Sequence, residues 1–279
     1  MMVEALHRAT RQRAKHAQRP AMITPIIITE VRERAVQGMT RPFLCAAGTT
    51  EYFVKGAYAG MNSLCCEWVA NRLAGLIELE LPLSIPDFRM GMVPGGLIVA
   101  GGRADIADLG EGYVFASQRV HDVREPTMLR VETMTEEVMA QLLMLDLWLQ
   151  NEDRSLSAFG GNPNLLVSRV PAQADDSGAE RLWAYDFNLA FDPDFNRGRF
   201  FDAHVFGTLL RRWPDGFRER MEPKLKAASA EVRAIFTELP REWLHLDGDD
   251  SLPVQLDVER VFSVVELPFS DPDTFWKLP

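Results

Sequence analysis

The stretch Thr135–Leu149, TEEVMAQLLMLDLWL, constrains this chain more than any other. A threonine followed by two acidic residues marks a helix N-terminus, and the rest of the stretch is almost entirely apolar. A helix that is apolar on nearly every side must be enclosed by other elements. The methionines between Met134 and Met144 therefore read as core. The chain can supply the enclosure, because its 279 residues are 47% apolar.

Ahead of that helix the sequence reads mostly as strands. ITEVRERAV alternates apolar and polar residues, Gly38-Met39-Thr40-Arg41-Pro42 breaks it, and PFLCAA and TEYFVK flank a turn at Gly48-Thr49. MNSLCCEWVANRLAGLI fits a helix with Leu64, Trp68, Leu73 and Leu76 on its apolar stripe. ELPLSIPDFRMGMV returns to strand character, and the glycine-dense residues 94–112 read as a linker. Beyond the buried helix come a polar loop, NEDRSLSAFGGNPNLLV, a polar insert at 171–180, and a short strand, LWAYDF. The remainder reads as helices in DAHVFGTLLRRW, EPKLKAASAEVRAIFTEL and VQLDVERVFSVVE. Strands early and helices late make an α+β plan. Its expected divisions are a basic tail at 1–22, a β-rich part with its crossover at 23–119, and a mostly helical part at 120–279.

Charge and cysteine usage exclude several functions. A net charge of −10 disfavours attraction to nucleic acid or an anionic membrane. The exception is the cluster His7, Arg8, Arg11, Arg13, Lys15, His16 and Arg19, which reads as a solvated tail or as an arm for an acidic partner. No apolar run approaches the roughly 18 residues that cross a bilayer, and the N-terminus lacks a signal-peptide core. The three cysteines, Cys45, Cys65 and Cys66, make no disulfide framework and no zinc spacing. A reducing, cytoplasmic setting is expected.

Four features share one chemistry. Phosphoryl transfer needs cationic groups at the phosphates, carboxylates to hold a metal, and a group to orient the attacking hydroxyl. Lys55 ends a strand, from which it can reach phosphates in a cleft. Glu67 lies in the following helix, where a charge-assisted bond would aim that lysine. Asp153 in the polar loop can accept the hydroxyl proton, and Asn162 or Asn164 can offer an amide oxygen to magnesium. Asn164 is preferred, because Leu165, Leu166 and Val167 come directly after it as a strand. Asp186 ends an apolar strand, a costly place for a carboxylate unless it is paired or metal-bound. Each residue alone has an ordinary reading, as a solvated strand end, helix face or turn. Their order along the chain is what points to a kinase. His121, His204 and His245 show no partner pattern and are assigned no catalytic role; Asp247–Asp250 reads as an acidic turn.

Those same segments resemble the HipA-like kinases. NEDRSLSAFGGNPNLL is similar to their N-x-D-R…N-P-N-L-L loop, and AYDFNLAF to the metal-binding segment beyond it. RPFLCAAGTTEYFVKG and CEWVANRLAGLIELELPLSIPDF resemble their nucleotide-binding lobe, and the similarity spans residues 25–195. The resemblance implies a two-lobed protein-kinase-like fold with a β-rich N-lobe and a helical C-lobe, distantly shared with phosphatidylinositol kinases. It also implies ATP and Mg²⁺, with the Gly38, Met39, Thr40 and Arg41 turn covering the phosphates. Its implied substrate is a protein Ser or Thr, often with a neutralising protein partner, as in bacterial toxins. Two departures stand out: Ser155 replaces the His of the lipid kinases, and Ala158 to Gly161 lengthen the loop. The rival expectations are a nucleotide-binding module without turnover, a kinase of a lipid or small molecule, and an adenylyltransferase on the same scaffold.

Overall fold

The fold is described from a computed structural model, in which residues 23–36, 38–97, 104–156, 161–169, 180–247 and 249–279 are placed. The basic tail, the centre of the glycine-dense linker, residues 158–160 of the lengthened loop and most of the insert lie outside the described residues.

β-branched and aromatic residues on either side of Gly48-Thr49 close a tight hairpin, and the larger of two sheets grows on it. In chain order the strands are β1 (Ile26–Ile27), β2 (Glu30–Arg34), β3 (Phe43–Ala47), β4 (Thr50–Lys55), β5 (Leu83–Ser84), β6 (Phe88–Val93), β7 (Gly112–Gln118), β8 (Val123–Arg124), β9 (Leu165–Arg169) and β10 (Glu180–Ala184). The six-stranded sheet runs β1-β6-β7-β4-β3-β2, and the four-stranded sheet runs β5-β10-β9-β8. Lys55, the last residue of β4, pairs with Phe115 of β7, so it sits on one of the two central strands. In the smaller sheet β9 and β10 pair with Ala184 opposite Leu165. That register sets Asn164, just before β9, beside Tyr185, just after β10; the Tyr185 N–H donates to the Asn164 carbonyl at 3.2 Å.

The helices are α1 (Met61–Leu76), α2 (Met128–Glu132), α3 (Glu136–Trp148), α4 (Arg197–Ala203), α5 (Phe217–Ser229), α6 (Val232–Phe236), α7 (Val258–Val265), α8 (Leu267–Ser270) and α9 (Pro272–Phe275). Thr135 caps α3 by accepting from the Val138 N–H, and every residue from Val138 to Trp148 is buried. The enclosure is built by α1, β9, β10 and the C-terminal helices, all in one apolar core. A smaller core lies within the six-stranded sheet, around Ile28, Phe43, Val54 and Val114. α1 is pinned to the C-terminal helices by Glu238. Its carboxylate accepts two bonds from Arg72, at 2.7 and 2.8 Å, and one from the Trp68 indole at 2.9 Å.

Several expected elements change. The residues read as linker and charged segment contain β7, a central strand; its apolar run comes after glycines that mask strand character. The helix expected over 202–213 is instead the end of α4 followed by turns from His204. Gly207 in those turns approaches the Phe201 carbonyl so closely that a Cβ would lie 2.1 Å from that oxygen. The helix expected over 222–239 starts earlier and is broken into α5 and α6, and the one expected over 254–266 begins only at Val258, capped by Asp257. The three cysteines are buried and form no disulfide with one another. Among the described residues no helix is long and apolar enough to cross a membrane.

Candidate active site

Three distant segments meet at Lys55. The residue is 8% exposed, and its ammonium donates to Glu67 Oε1 and, at 2.6 Å, to Asp186 Oδ1. Glu67 is 1% exposed, on the face of α1 turned to the sheet. Its other oxygen accepts from the Phe187 N–H at 3.2 Å and from the Asn71 amide at 3.1 Å. One carboxylate thus aims the lysine and also ties α1 to the backbone just after Asp186. Gly56 makes the end of β4 possible: a Cβ there would lie 1.9 Å from the Leu109 carbonyl oxygen, which accepts from the Ala57 N–H.

Electrostatics depend on this burial. Burial opposes the charge on Lys55, but Glu67 and Asp186 outweigh it and hold the ammonium well above its ordinary range. Burial pushes the Glu67 carboxyl up, to about 7, against the downward pull of Lys55. Burial would raise Asp186 too, but Lys55 holds it below the usual carboxylate range. Asp186 is therefore an ionised, partly accessible carboxylate.

The polar loop after α3 carries the second cluster. Asp153 Oδ2 accepts from the amide of Asn164 at 3.1 Å and from that of Asn162 at 3.4 Å. Asn164 is 2% exposed and also donates to the Asp153 carbonyl at 2.8 Å, whereas Asn162 is exposed. Since the Asn164 nitrogen must face the carboxylate, its oxygen is the atom left for a cation. Burial, and then the nearby charge of Asp186, raise the Asp153 carboxyl above its ordinary value. Asn164 and Asp186 both have left-handed backbone, φ +45° and +61°, which Asn and Asp tolerate better than most side chains.

A fully buried ion pair supports this loop, and the sequence reading missed it. Asp146, in the last turn of α3, accepts from Arg154 Nε at 2.6 Å and from the Asn151 amide at 2.9 Å. Arg154 uses Nη1 to gather the carbonyls of Pro163, Asn164 and Tyr185. Its plane also lies over the Phe187 ring, 5.2 Å from the centroid. Arg154 follows Asp153 directly in the chain, and its guanidinium binds the Asn164 carbonyl and the residue before Asp186, so it links those three segments. Burial would raise the Asp146 carboxyl, but Arg154 and a bond from His204 hold it below the ordinary range. A signal was present: one carboxylate inside an otherwise apolar helix demands a buried partner.

The Gly38–Arg41 turn stands elsewhere. Met39 and Thr40 line a cleft of about 370 Å³ with Ser63 at the start of α1 and with Asn188, two residues beyond Asp186. Gly38 and Arg41 shape the turn with φ +80° and +42°, and the Arg41 carbonyl accepts from Arg34 Nε at 3.3 Å. The turn is thus beside the segment after Asp186. Lys55, Glu67 and Asp186 form one contact cluster, and Asp153, Asn162 and Asn164 another, joined through Arg154.

No curated protein sequence matches the chain. Among solved structures, the Helicobacter pylori proinflammatory kinase CtkA is similar at 10% identity, over 90% of this chain and 95% of its own, with a TM-score of 0.46. The sequence itself matches the family described as HipA-like kinase over residues 28–279, which takes in both clusters and the C-terminal helices. The chain belongs to the HipA-like kinase family.

Proposed function

We propose that this protein transfers the terminal phosphate of ATP to a serine or threonine hydroxyl of a protein substrate, with a divalent cation, Mg²⁺, at the site. The observation that supports it most is the ammonium of Lys55 shared between Glu67 and Asp186, with Arg154 tying the residue before Asp186 to the Asn164 carbonyl beside Asp153. Residues 23–119 then form the nucleotide-binding lobe, and residues 120–279 the lobe with the catalytic loop. The Gly38–Arg41 turn covers the phosphates.

The donors suit a hard cation: the Asp186 carboxylate is ionised and partly accessible, and the Asn164 amide oxygen is turned away from Asp153. Asp186 and Asn164 would hold the metal, Asn162 being the alternative amide; bound there, the metal supplies charge neutralisation for the phosphates. Lys55 would turn from Asp186 toward the phosphates while Glu67 keeps hold of it. Asp153 uses Oδ2 for the two asparagine amides, which leaves Oδ1 for the acceptor hydroxyl. The hydroxyl oxygen bonds to the γ-phosphorus, its proton passes to Asp153, the bond between that phosphorus and the bridging oxygen breaks, and ADP leaves. The net charge of −10 favours a protein acceptor over a lipid in an anionic membrane. A cytoplasmic setting and a neutralising protein partner belong to the same proposal.

The test is radiolabelled phosphate transfer, including self-labelling, by the wild type and by Asp153→Ala. Loss of a general base costs about 10²–10⁴ in rate, so transfer should nearly vanish while the fold and ATP binding persist. Unchanged transfer would remove Asp153 from its role. ATP-dependent thermal stabilisation with no product from the wild type would favour a binding module without turnover.

A further inference from the structure

His204 is the third donor on Asp146. It is 4% exposed, and its Nε2 lies 3.0 Å from Asp146 Oδ2. The Phe206 N–H points at His204 Nδ1 from 3.1 Å, so Nδ1 is the acceptor and the ring proton is on Nε2. That proton is donated to Asp146. The histidine therefore has a fixed tautomer with both nitrogens used.

The same segment is stitched to the catalytic loop by its backbone. Ser155 and His204 form an antiparallel bridge, and the Val205 N–H donates to the Arg154 carbonyl at 2.9 Å. The backbone of Arg154 and Ser155 is thus held from one side by residues 204 and 205. The Arg154 side chain is held from the other side by Asp146, which His204 also grips. Asp153 is the residue immediately before this clamp.

We propose that His204 is a positioning residue of the kinase: by donating to Asp146 it fixes the Arg154 guanidinium, and through it the spacing of Asp153, Asn164 and Asp186. This deepens the proposed function and rests on it. The logic is geometric. Arg154 gathers carbonyls of Asn164 and Tyr185, so any tilt of its plane moves the metal-holding amide and the carboxylate of Asp186 relative to Asp153. A misplacement near 1 Å can cost up to about 10² in rate. Arg154 bonds directly to neither Lys55 nor Glu67, the pair proposed to meet the phosphates, so the loss is expected chiefly in kcat rather than in KM for ATP.

Two substitutions separate positioning from packing. His204→Asn keeps an acceptor oxygen near Nδ1 for the Phe206 N–H but is too short to donate to Asp146. His204→Gln places an amide donor near Nε2, where it can reach Asp146. The experiment measures kcat and KM for ATP in phosphate transfer, with thermal midpoints recorded in parallel. The expected result is a drop of about tenfold or more in kcat for His204→Asn with KM for ATP within twofold of wild type, and recovery to within about threefold in His204→Gln. That ordering is expected whichever variant melts lower. Equal kcat in both variants, whether wild-type or lowered, would overturn the positioning role, as would a loss carried by KM. A wild type that transfers no phosphate at all fails the proposed function instead, and the two failures are thereby distinct.

Discussion

Replacing Lys55 by Met removes the one cation from a buried trio and leaves two carboxylates facing each other. Lys55 and Glu67 are 8% and 1% exposed, and Asp186 retains some solvent access. Breaking a buried ion pair by removing one partner costs about 3–5 kcal/mol. Glu67 has an escape, because burial has already lifted its carboxyl to about 7 and loss of Lys55 lifts it further. It then takes up a proton and can donate to Asp186, which places the expected cost near the lower bound, about 3 kcal/mol at pH 7.5. For a chain of this size that is a fall of about 6–12 °C in melting temperature. The sign with pH comes from the same group. A carboxyl whose folded value is raised stabilises the folded state below its unfolded value, and loses that contribution as pH rises through the folded value. The gap between variant and wild type should therefore shrink toward pH 5 and grow toward pH 8. Thermal melts at three pH values measure this. A shift under 2 °C at pH 7.5, or a gap that grows on acidification, would refute the buried-trio reasoning.

The same contacts set other outcomes. Arg154→Lys keeps a charge against Asp146 but cannot also gather three carbonyls, so urea unfolding should show a loss of at least about 1–3 kcal/mol, the cost of leaving a buried acceptor without its donor. Gly56→Ala forces a Cβ to 1.9 Å from the Leu109 oxygen; the loss in urea unfolding should exceed the roughly 1–3 kcal/mol of ordinary overpacking, and ATP affinity should fall because Lys55 is the preceding residue. Asp146 has a folded value held below the ordinary one, so its contribution is present above about pH 4 and is lost as pH falls through the folded value. Asp146→Asn should accordingly flatten the dependence of stability on pH below about 4, as read from acid melts.

Legibility in the sequence depended on how far apart the partners lie. Lys55, Glu67, Asp153 and Asp186 could be picked out because each stands in a local setting that states its element: a strand end, an apolar helix, a polar loop, a strand end again. α3 was legible from its cap and its apolar content. His204 was not, because its partner is 58 positions earlier, and an isolated histidine beside Ala203 and Val205 carries no periodic signal. The run from Asp202 looks helical by composition, yet its backbone bonds go to Arg154 and Ser155 in the loop after α3, a tertiary demand that overrides local propensity. β7 was hidden for another reason: its seven residues begin at Gly112, next to glycines that read as linker, while its pairing partners are β4 and β6. Between Asn162 and Asn164 the sequence favoured Asn164 only by the strand that follows it; the structure adds that Asn164 is enclosed and makes two bonds to Asp153, while Asn162 is exposed.

The most direct measurement is a crystal structure with a non-hydrolysable ATP analogue and Mg²⁺. The proposed function predicts a cation held by the Asp186 carboxylate and the Asn164 amide oxygen, with the Lys55 ammonium on the phosphates and Asp153 facing the γ-phosphate. Nucleotide bound away from Lys55, or a cation that touches neither Asp186 nor Asn164, would contradict it.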